Sequence, residues 1–162
     1  MIIRGRVLAA YGDNIATEVM VASKHVKSLE PIEMAKVCMR DIDPDFYDKM
    51  HLGGILIAGS NFGCSSSREW APVALKAANV KVVIAKSFAR IFYRNALNIG
   101  LPIVECDQVG TGINEGDELD VDLRAGLIKN LGNGQSYGVN CIPDFLLDQL
   151  DRGGLIAVLR GG

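Results

Sequence analysis

The run GSNFGCSSSREW at residues 59–70 lies between an apolar segment with strand character and an alanine-rich segment with helical character. In open α/β sheets, ligands bind where loops leave the carboxyl ends of strands and enter helices. Gly59 and Gly63 predict close approach of the backbone to a ligand, and a helix start offers N–H groups to an anion. Arg68 adds a planar guanidinium suited to a carboxylate. The run therefore predicts a site for a carboxylate or phosphate.

The same residues also fit a helix start that binds no ligand. Ser66 and Glu69 have the spacing of a capping box, in which two side chains satisfy the first N–H groups of a helix. The spacing alone leaves both interpretations open. A P-loop is excluded because the run lacks the lysine of that motif. A nucleophilic Cys64 with His25 or His51 as its base is a further hypothesis.

The segments around this run predict alternating strands and helices. Strands are expected at IIRGRVLAAYG, GGILIAG, KVVIAKS and LPIVE, and helices at LEPIEMAKVCM, APVALKAANV and FARIFYRNALNIG. DIDPDFYDKM is predicted to be a polar connection. Such alternation builds a parallel sheet with right-handed crossovers.

The C-terminal third predicts a different arrangement. DELDVDL, GLIKNL and QSYGVN are expected to be short strands separated by turns, which indicates an antiparallel meander. PDFLLDQLDRGG predicts a helix and GLIAVLR a final strand. Residues 1–162 are therefore expected to form a single α/β domain with a mostly parallel sheet and an antiparallel C-terminal part.

Composition and charge exclude several classes of partner. The chain has 162 residues, 49% of them hydrophobic and 22% charged, and a formal net charge of -2. It has no cluster of lysine and arginine that would neutralise nucleic-acid phosphates. No apolar run approaches the roughly 18 residues of a membrane span, and Arg4 and Arg6 interrupt the first apolar stretch where a secretory signal would need it. We expect a cytoplasmic protein that binds neither nucleic acid nor membrane.

The four cysteines give no metal-binding pattern. Cys38, Cys64, Cys106 and Cys141 include no C-x-x-C pair, so local spacing predicts neither a zinc site nor an iron–sulfur site. A disulfide framework is not expected in a chain of this size without an export signal. All but Cys64 are expected to be buried free thiols.

Three sequence runs together resemble a known family. NFGCSSSREWAP matches N-F-G-x-G-S-S-R-E-H-A-P, KSFARIFYRN matches K-S-F-x-R-I-F-x-x-N, and GDNIATE partly matches G-D-N-[IV]-D-T-D. On these runs the chain resembles the swivelling domain of the aconitase superfamily. Its length resembles the free-standing small subunits of the 3-isopropylmalate dehydratase and homoaconitase type. The resemblance covers the chain to about residue 105 and implies a three-layer β/β/α fold.

The resemblance implies a hydro-lyase that isomerises a hydroxy-dicarboxylate by dehydration and rehydration, as 3-isopropylmalate dehydratase does in leucine biosynthesis. It also implies a large-subunit partner that carries a 4Fe–4S cluster, with no cofactor bound by this chain. By motif position, Ser66 corresponds to the base that removes a proton next to a carboxylate. Arg68 corresponds to the arginine that binds this carboxylate or activates the base. A serine base needs nearby positive charge, which Arg68 and the helix-start N–H groups would supply.

The resemblance implies further residues around the substrate. Lys24 stands where the family has an arginine, and the segment after it, HVKS, stands where the family contacts the variable part of the substrate. His25 and Lys27 of that segment, with Ser65 and Ser67 of the glycine-serine run, are expected to bind substrate. The alternative for Lys24 is a solvated basic loop.

Four positions depart from the family pattern and leave the substrate open. Ala16 and Glu18 stand where an acidic residue and Asp are usual, and Ser65 and Trp70 stand where Gly and His are usual. Homoaconitase and dehydratases of other branched malates, such as dimethylmalate, are alternative activities. A free-standing module that binds a carboxylate or phosphate without catalysis is the alternative of another class.

Overall fold

One hydrogen-bonded sheet organises the chain in the computed structural model, which describes residues 1–65 and 68–161. Its strands run in the order β4-β3-β2-β1-β5-β6-β7, so that β1 joins the two halves of the sheet. The strands are β1 (Ile2–Ala10), β2 (Gly54–Ala58), β3 (Val80–Ala85), β4 (Ile103–Glu105), β5 (Glu118–Asp122), β6 (Leu127–Asn130) and β7 (Ser136–Gly138).

The first four strands form a parallel half-sheet. Every residue of β2 is buried, and β3 is buried except for Lys81, as expected for strands covered on both faces. The helices α4 (Trp70–Ala77) and α5 (Arg90–Asn98) connect β2 to β3 and β3 to β4. The strand–helix alternation predicted from the sequence is confirmed.

The last three strands extend the sheet in the antiparallel sense. β5 pairs with β1, with Ile3 opposite Val121, and β6 and β7 follow as a meander. Only Leu119 and Val121 are fully buried in β5, which gives the alternating pattern of a strand with one face on the core. The predicted antiparallel C-terminal part is confirmed.

Short helices fill the connection from β1 to β2. They are α1 (Thr17–Met20), a 3₁₀ turn (Ser23–His25), α2 (Pro31–Val37) and α3 (Phe46–Met50). The predicted polar connection DIDPDFYDKM is therefore wrong in its second half. Phe46 and Met50 are both fully buried and lie four residues apart, on one face of a helical turn. Burial of that face outweighs the polar composition of the segment.

The helix after β2 begins later than the capping box requires. Its first residue is Trp70 and its N-cap is Glu69, whose side chain makes no capping hydrogen bond. The described Arg68 and Glu69 both precede the helix, so the structure gives no support to the capping-box interpretation, whose Ser66 lies outside the described residues. Pro72 lies at the third helical position, still within the first turn, where a missing N–H is tolerated.

The chain ends in helices. The predicted helix α6 (Asp144–Asp151) is confirmed, but the predicted final strand is the helix α7 (Leu155–Leu159), which packs on α5 and α6. A short apolar run does not by itself distinguish a strand from a helix. Gly153 and Gly154, with φ of +93° and +119°, turn the chain onto α5. No helix among the described residues is long and apolar enough to cross a membrane.

Gly154→Ala is expected to destabilise the fold more than Gly153→Ala. Positive φ costs an alanine roughly 1–2 kcal/mol at either position. At 154 the added Cβ also overlaps the carbonyl oxygen of Asn98, whereas at 153 it meets only the end of the Lys76 side chain at 4.0 Å. The overlap adds about 1–3 kcal/mol. Urea unfolding followed by circular dichroism measures both variants, and equal losses would contradict this packing of α7.

Candidate active site

Three motif-bearing segments meet at the carboxyl ends of the parallel strands. The GDNIATE run follows β1, the SNFGCS run follows β2, and the KSFARIF run follows β3. Parallel strands end at the same edge of a sheet, so the three runs emerge side by side. The topology thus gathers the runs whose sequence patterns resemble one family.

The SNFGCS run is hydrogen-bonded to the GDNIATE run on one side. Gly63 N donates to the carbonyl oxygen of Ile15 at 2.8 Å, and Thr17 N donates to that of Cys64 at 3.1 Å. Ala16 and Cys64 thereby form a short parallel bridge. Ala16 takes part through its backbone, so this pairing does not require the acidic side chain that the family pattern has there.

On the other side the SNFGCS run is bonded to the KSFARIF run. Phe62 N donates to the carbonyl oxygen of Ser87 at 3.0 Å, and Ala89 N donates to that of Phe62 at 2.9 Å. The Phe62 ring packs edge-on against Phe88 and Phe92, with centroids 6.0 and 5.3 Å away. This aromatic cluster fixes the run against the start of α5.

Polar side chains lock the same junction. Oδ1 of Asp13 accepts from Ser60 N at 2.7 Å, and Oδ1 of Asn14 accepts from Nδ2 of Asn61 at 3.0 Å. Asn61 N in turn donates to Oγ of Ser87 at 2.8 Å. Both asparagines have left-handed φ, 56° and 59°, a conformation that asparagine tolerates better than most residues. These polar groups therefore hold the loops together.

The sequence predicts that the backbone at Gly59 and Gly63 lies close to a ligand. In the structure, the groups that lie close to these two glycines belong to other segments of the chain. A Cβ at Gly59 would overlap Oδ1 of Asp13, and one at Gly63 would overlap the Phe92 ring. Gly63 also has φ of +85°. Neither position tolerates a side chain, because the neighbouring loop or helix occupies that space.

Ser65 has a left-handed backbone conformation, which glycine, the usual residue of the family pattern at this position, adopts without steric cost. Its φ is +82°, and its side chain is exposed. A left-handed conformation costs a residue with a Cβ roughly 1–2 kcal/mol, and such strain is concentrated at functional loops. The next two predicted residues, Ser66 and Ser67, lie outside the described residues.

Arg68 lies among residues from other parts of the chain. Nη1 donates to Oγ of Ser23 at 2.9 Å, and Nε lies 3.8 Å from Oε1 of Glu18. The guanidinium carbon lies 5.9 Å from the centroid of the Trp70 ring. The side chain remains 27% exposed, so a carboxylate can reach it from solvent. Sequence reasoning missed Ser23, because no local pattern marks a contact with a residue 45 positions away.

The start of α4 offers fewer N–H donors than the sequence suggests. Pro72 has no N–H, and Ala71 N donates to the carbonyl oxygen of Arg68 at 3.4 Å. The exposed Glu69 carboxylate precedes the helix and adds negative charge there. Positive charge near this loop therefore comes chiefly from Arg68 rather than from the helix start.

Lys24 and His25 share one carboxylate. Nε2 of His25 lies 2.7 Å from Oδ1 of Asp41, and Nζ of Lys24 lies 3.4 Å from Oδ2. The hydrogen bond with His25 and the charge of Lys24 lower the pKa of Asp41. Lys27 follows on the rim of a cavity of about 190 Å³ that His25 also lines. Asp41 lies in the segment predicted to be a connection, where no sequence signal marked it.

The hypothesis of a nucleophilic Cys64 requires a histidine base beside the thiol, and the described residues show no hydrogen bond between a histidine and this thiol. His25 contacts Asp41, and Nδ1 of His51 lies 2.8 Å from the carbonyl oxygen of Asp48 at the end of α3. The hydrogen bonds found for the two histidines in the described part of the chain thus go to Asp41 and to α3, and not to the thiol.

The donor set of this chain does not fit an iron–sulfur cluster. Cys38 and Cys106 are buried, Cys64 is half-buried and Cys141 is exposed, and all are free, so the expectation of burial is wrong for Cys141. Burial raises the pKa of the Cys38 and Cys106 thiols, which disfavours the thiolates that bind metal. Within residues 1–65 and 68–161, no three His, Cys, Asp or Glu side chains are grouped to hold a metal ion.

Comparison with known protein families shows which family the chain belongs to. The model of the Aconitase C-terminal domain matches residues 15–108, more than half of the chain and most of the joined loops. The chain belongs to the aconitase C-terminal domain family. The resemblance inferred from the three runs is thereby confirmed.

Members of the aconitase C-terminal domain family resemble this chain over its full length. The 3-isopropylmalate dehydratase small subunit of Caldicellulosiruptor bescii is 50% identical over 99% of this chain and 96% of its own. The 2,3-dimethylmalate dehydratase small subunit of Eubacterium barkeri is 48% identical over 90% of each chain. A crystal structure of 3-isopropylmalate dehydratase from Methanocaldococcus jannaschii superposes with a TM-score of 0.90 at 37% identity, covering 99% of this chain and 95% of that one. The predicted fold class is confirmed.

Gly63→Ala is expected to destabilise the protein by about 2–5 kcal/mol, because left-handed strain and overpacking act together. Gly110 has the same φ of +85° and serves as the matched control. A Cβ at 110 has nothing within 4 Å, whereas one at 63 overlaps Phe92. Gly110→Ala should therefore lose only about 1–2 kcal/mol in chemical unfolding. Similar values for the two variants would refute the close packing of the loop on α5.

The pKa of Asp41 is expected to rise when His25 is replaced by alanine, because the His25 hydrogen bond is the largest cause of its lowering. A lowered folded pKa means that the contact stabilises the fold above the ordinary aspartate value of about 3.9. The stabilisation is lost as pH falls through the folded pKa. Carboxyl ¹³C NMR titration measures the value, and Asp120, lowered by Arg4, is the internal control. An unchanged Asp41 pKa in His25→Ala would count against the shared carboxylate.

Proposed function

We propose that this chain is the small subunit of a 3-isopropylmalate dehydratase, a hydro-lyase that isomerises a hydroxy-dicarboxylate by dehydration and rehydration. The observation that carries the proposal is full-length similarity, with 50% identity over 99% of the chain to a small subunit of that name. The junction of the three runs supports it, because this junction assembles the loop that holds Arg68.

Arg68 is proposed to bind a substrate carboxylate. Its guanidinium is partly exposed and presents a planar pair of donors that matches a carboxylate. The adjacent Ser23 and Glu18 hold the side chain without covering it. The same positive charge favours a nearby alkoxide, which a serine base requires.

Ser66 is proposed to be the base. It takes the proton from the carbon next to a substrate carboxylate, while the C–O bond on the neighbouring carbon breaks and hydroxide leaves. The proton on Ser66 and the released hydroxide together make up one water. Hydroxide then adds to the carbon that lost the proton, and Ser66 returns the proton to the carbon that lost the hydroxyl. The support for this role is the match of the SSRE run and the contacts of Arg68, two residues further along the chain.

Lys24, His25, Lys27, Ser65 and Ser67 are proposed to line the substrate. The described contacts support this for Lys24 and His25, because Ser23, which contacts Arg68, directly precedes them. A lysine binds a carboxylate as a point charge rather than as a bidentate fork. Ser65 is exposed and lies three residues before Arg68 in the chain.

The partner is proposed to be a large subunit that carries a 4Fe–4S cluster, because the chain belongs to the aconitase C-terminal domain family and resembles subunits named small subunits. When bound, such a cluster supplies a Lewis acid for the substrate hydroxyl. The chain is proposed to act as one swivelling domain, residues 1–162, that closes over the large subunit. A role in leucine biosynthesis would place the complex in the cytoplasm.

A 2,3-dimethylmalate dehydratase is the second candidate. The Eubacterium barkeri small subunit of that activity is 48% identical to this chain, close to the 50% of the 3-isopropylmalate relative. Overall identity therefore does not separate the two substrates, which differ in their alkyl groups.

The test combines the purified chain with its large subunit, with the cluster restored, and measures turnover of 3-isopropylmalate, 2,3-dimethylmalate and substituted citrates. We expect the chain alone to be colourless and inactive, and the complex to have its highest kcat/KM with 3-isopropylmalate. A preference for dimethylmalate would establish the second candidate. An inactive complex, with tight carboxylate or phosphate binding by the chain alone in calorimetry, would establish the binding module instead.

Ser66→Ala is expected to abolish turnover, with a loss of at least about 100-fold in kcat as for removal of a general base. Ser136→Ala, an exposed serine on β7, is the matched control and should keep the normal rate. Gel filtration and circular dichroism verify assembly and folding of both. A Ser66→Ala complex with a near-normal rate would show that this serine is not the base.

A further inference from the structure

We propose that Ser23 and Trp70 are positioning residues that hold Arg68 in the orientation in which it binds a substrate carboxylate. The inference rests on the proposed function, since Arg68 has this role only if the chain acts on a hydroxy-dicarboxylate. Neither Ser23 nor Trp70 belongs to the substrate-binding residues predicted from the sequence.

Ser23 fixes one end of the guanidinium. Its hydroxyl accepts from Nη1 of Arg68 at 2.9 Å, a bond strengthened by the charge of the donor. Nη1 carries two hydrogens, and Ser23 uses one of them. The second hydrogen of Nη1 and both hydrogens of Nη2 remain for a carboxylate, since among the described residues Nη2 has no polar partner. Nη2 can therefore still donate to a substrate carboxylate.

Trp70 supports the guanidinium through its ring. The guanidinium carbon lies 5.9 Å from the ring centroid, within the range of a cation–π interaction, and tryptophan is the strongest of the aromatic partners. The ring is half-buried and also lines an apolar cavity of about 470 Å³ together with Val73 and Ile99. Because α4 begins at Trp70, helix geometry fixes the backbone that carries the ring.

The indole of Trp70 has a buried polar group without a partner, and the contact with Arg68 explains why tryptophan nevertheless occupies this position. Nε1 of Trp70 is buried and has no hydrogen-bond partner among the described residues. An unpaired buried donor destabilises a fold, and a phenyl ring would occupy the space without one. The stronger attraction of the indole face for a cation accounts for tryptophan at this position, where the family pattern has histidine.

Ser23 offers a test that leaves the core undisturbed, because its side chain is exposed. Threonine and valine have the same shape at this position and differ by the hydroxyl group. Ser23→Thr keeps the acceptor for Nη1 and Ser23→Val removes it. Arg68→Leu shows the effect of removing the guanidinium itself.

The first measurement is the fluorescence of the chain, which contains a single tryptophan. Arg68→Leu removes the cation from the indole face and should change the emission. Ser23→Val should reproduce most of that change, because Arg68 is released from its position. Ser23→Thr and the control Ser136→Ala should match the unaltered chain. A Ser23→Val spectrum equal to that of the unaltered chain, or a Ser23→Thr spectrum equal to that of Ser23→Val, would overturn the positioning role.

The second measurement is steady-state kinetics of the complex with 3-isopropylmalate. Ser23→Val and Trp70→Leu should raise KM by about tenfold, the loss expected when a bond to a charged group is removed, with a smaller fall in kcat because the Arg68 charge also favours the Ser66 alkoxide. Ser23→Thr should restore most of the affinity, and Trp70→Phe should restore part of it, because a phenyl ring attracts a cation less strongly than an indole. An unchanged KM, or a fall in kcat alone, would overturn the assignment to carboxylate binding. If the unaltered complex converts no substrate, the proposed function fails, and the fluorescence result still decides whether Ser23 holds Arg68.

Discussion

The backbone hydrogen bonds that residues 62–64 make to loops on both sides are the constraint on which the candidate site depends. β2 ends at Ala58, but parallel pairing resumes beyond it, with Ala16 opposite Cys64 and Phe62 opposite Phe88. A segment buried this deeply must pair its backbone groups, and the two neighbouring runs provide the partners. Backbone pairing with the two neighbouring runs, together with the side chains of Asn61 and Phe62, thereby sets the position of residues 62–64.

Electrostatic balance is the second constraint. Arg68 has Glu18 nearby, and Lys24 and His25 share Asp41, so the chain partly neutralises its own cations. Ion pairs at exposed positions contribute only about 0–1 kcal/mol. A dicarboxylate, the substrate class proposed above, can therefore compete for the same cations without a large loss of folding stability. In the proposed site, the positions of the cationic side chains are defined by their contacts, and their charges can still bind a substrate carboxylate.

The departures from the family pattern preserve this arrangement. Ser65 has a left-handed φ, which glycine adopts without steric cost, Ala16 pairs through its backbone, and Glu18 keeps a carboxylate 3.8 Å from Arg68. Trp70 replaces a titratable ring with one that contacts the guanidinium by its face. All of them lie close to Arg68 or to the loop before it. Their effect is confined to the immediate surroundings of the proposed carboxylate site, and the fold is the same as that of the family.

The sequence alone determined the strand–helix alternation from β2 to β4, the antiparallel strands β5 to β7 and the family, because hydrophobic periodicity and the three long runs are local properties of the chain. It also predicted that Arg68, Lys24 and His25 contact the substrate. The tertiary structure decided the start of α4 at Trp70, the helical end of the chain and the contacts of Ser23 and Asp41. Each of these depends on groups distant in sequence, such as the carbonyl of Asn98 or the guanidinium of Arg68. Local patterns carry no information about such contacts, whose energies arise only when the sheet brings the segments together.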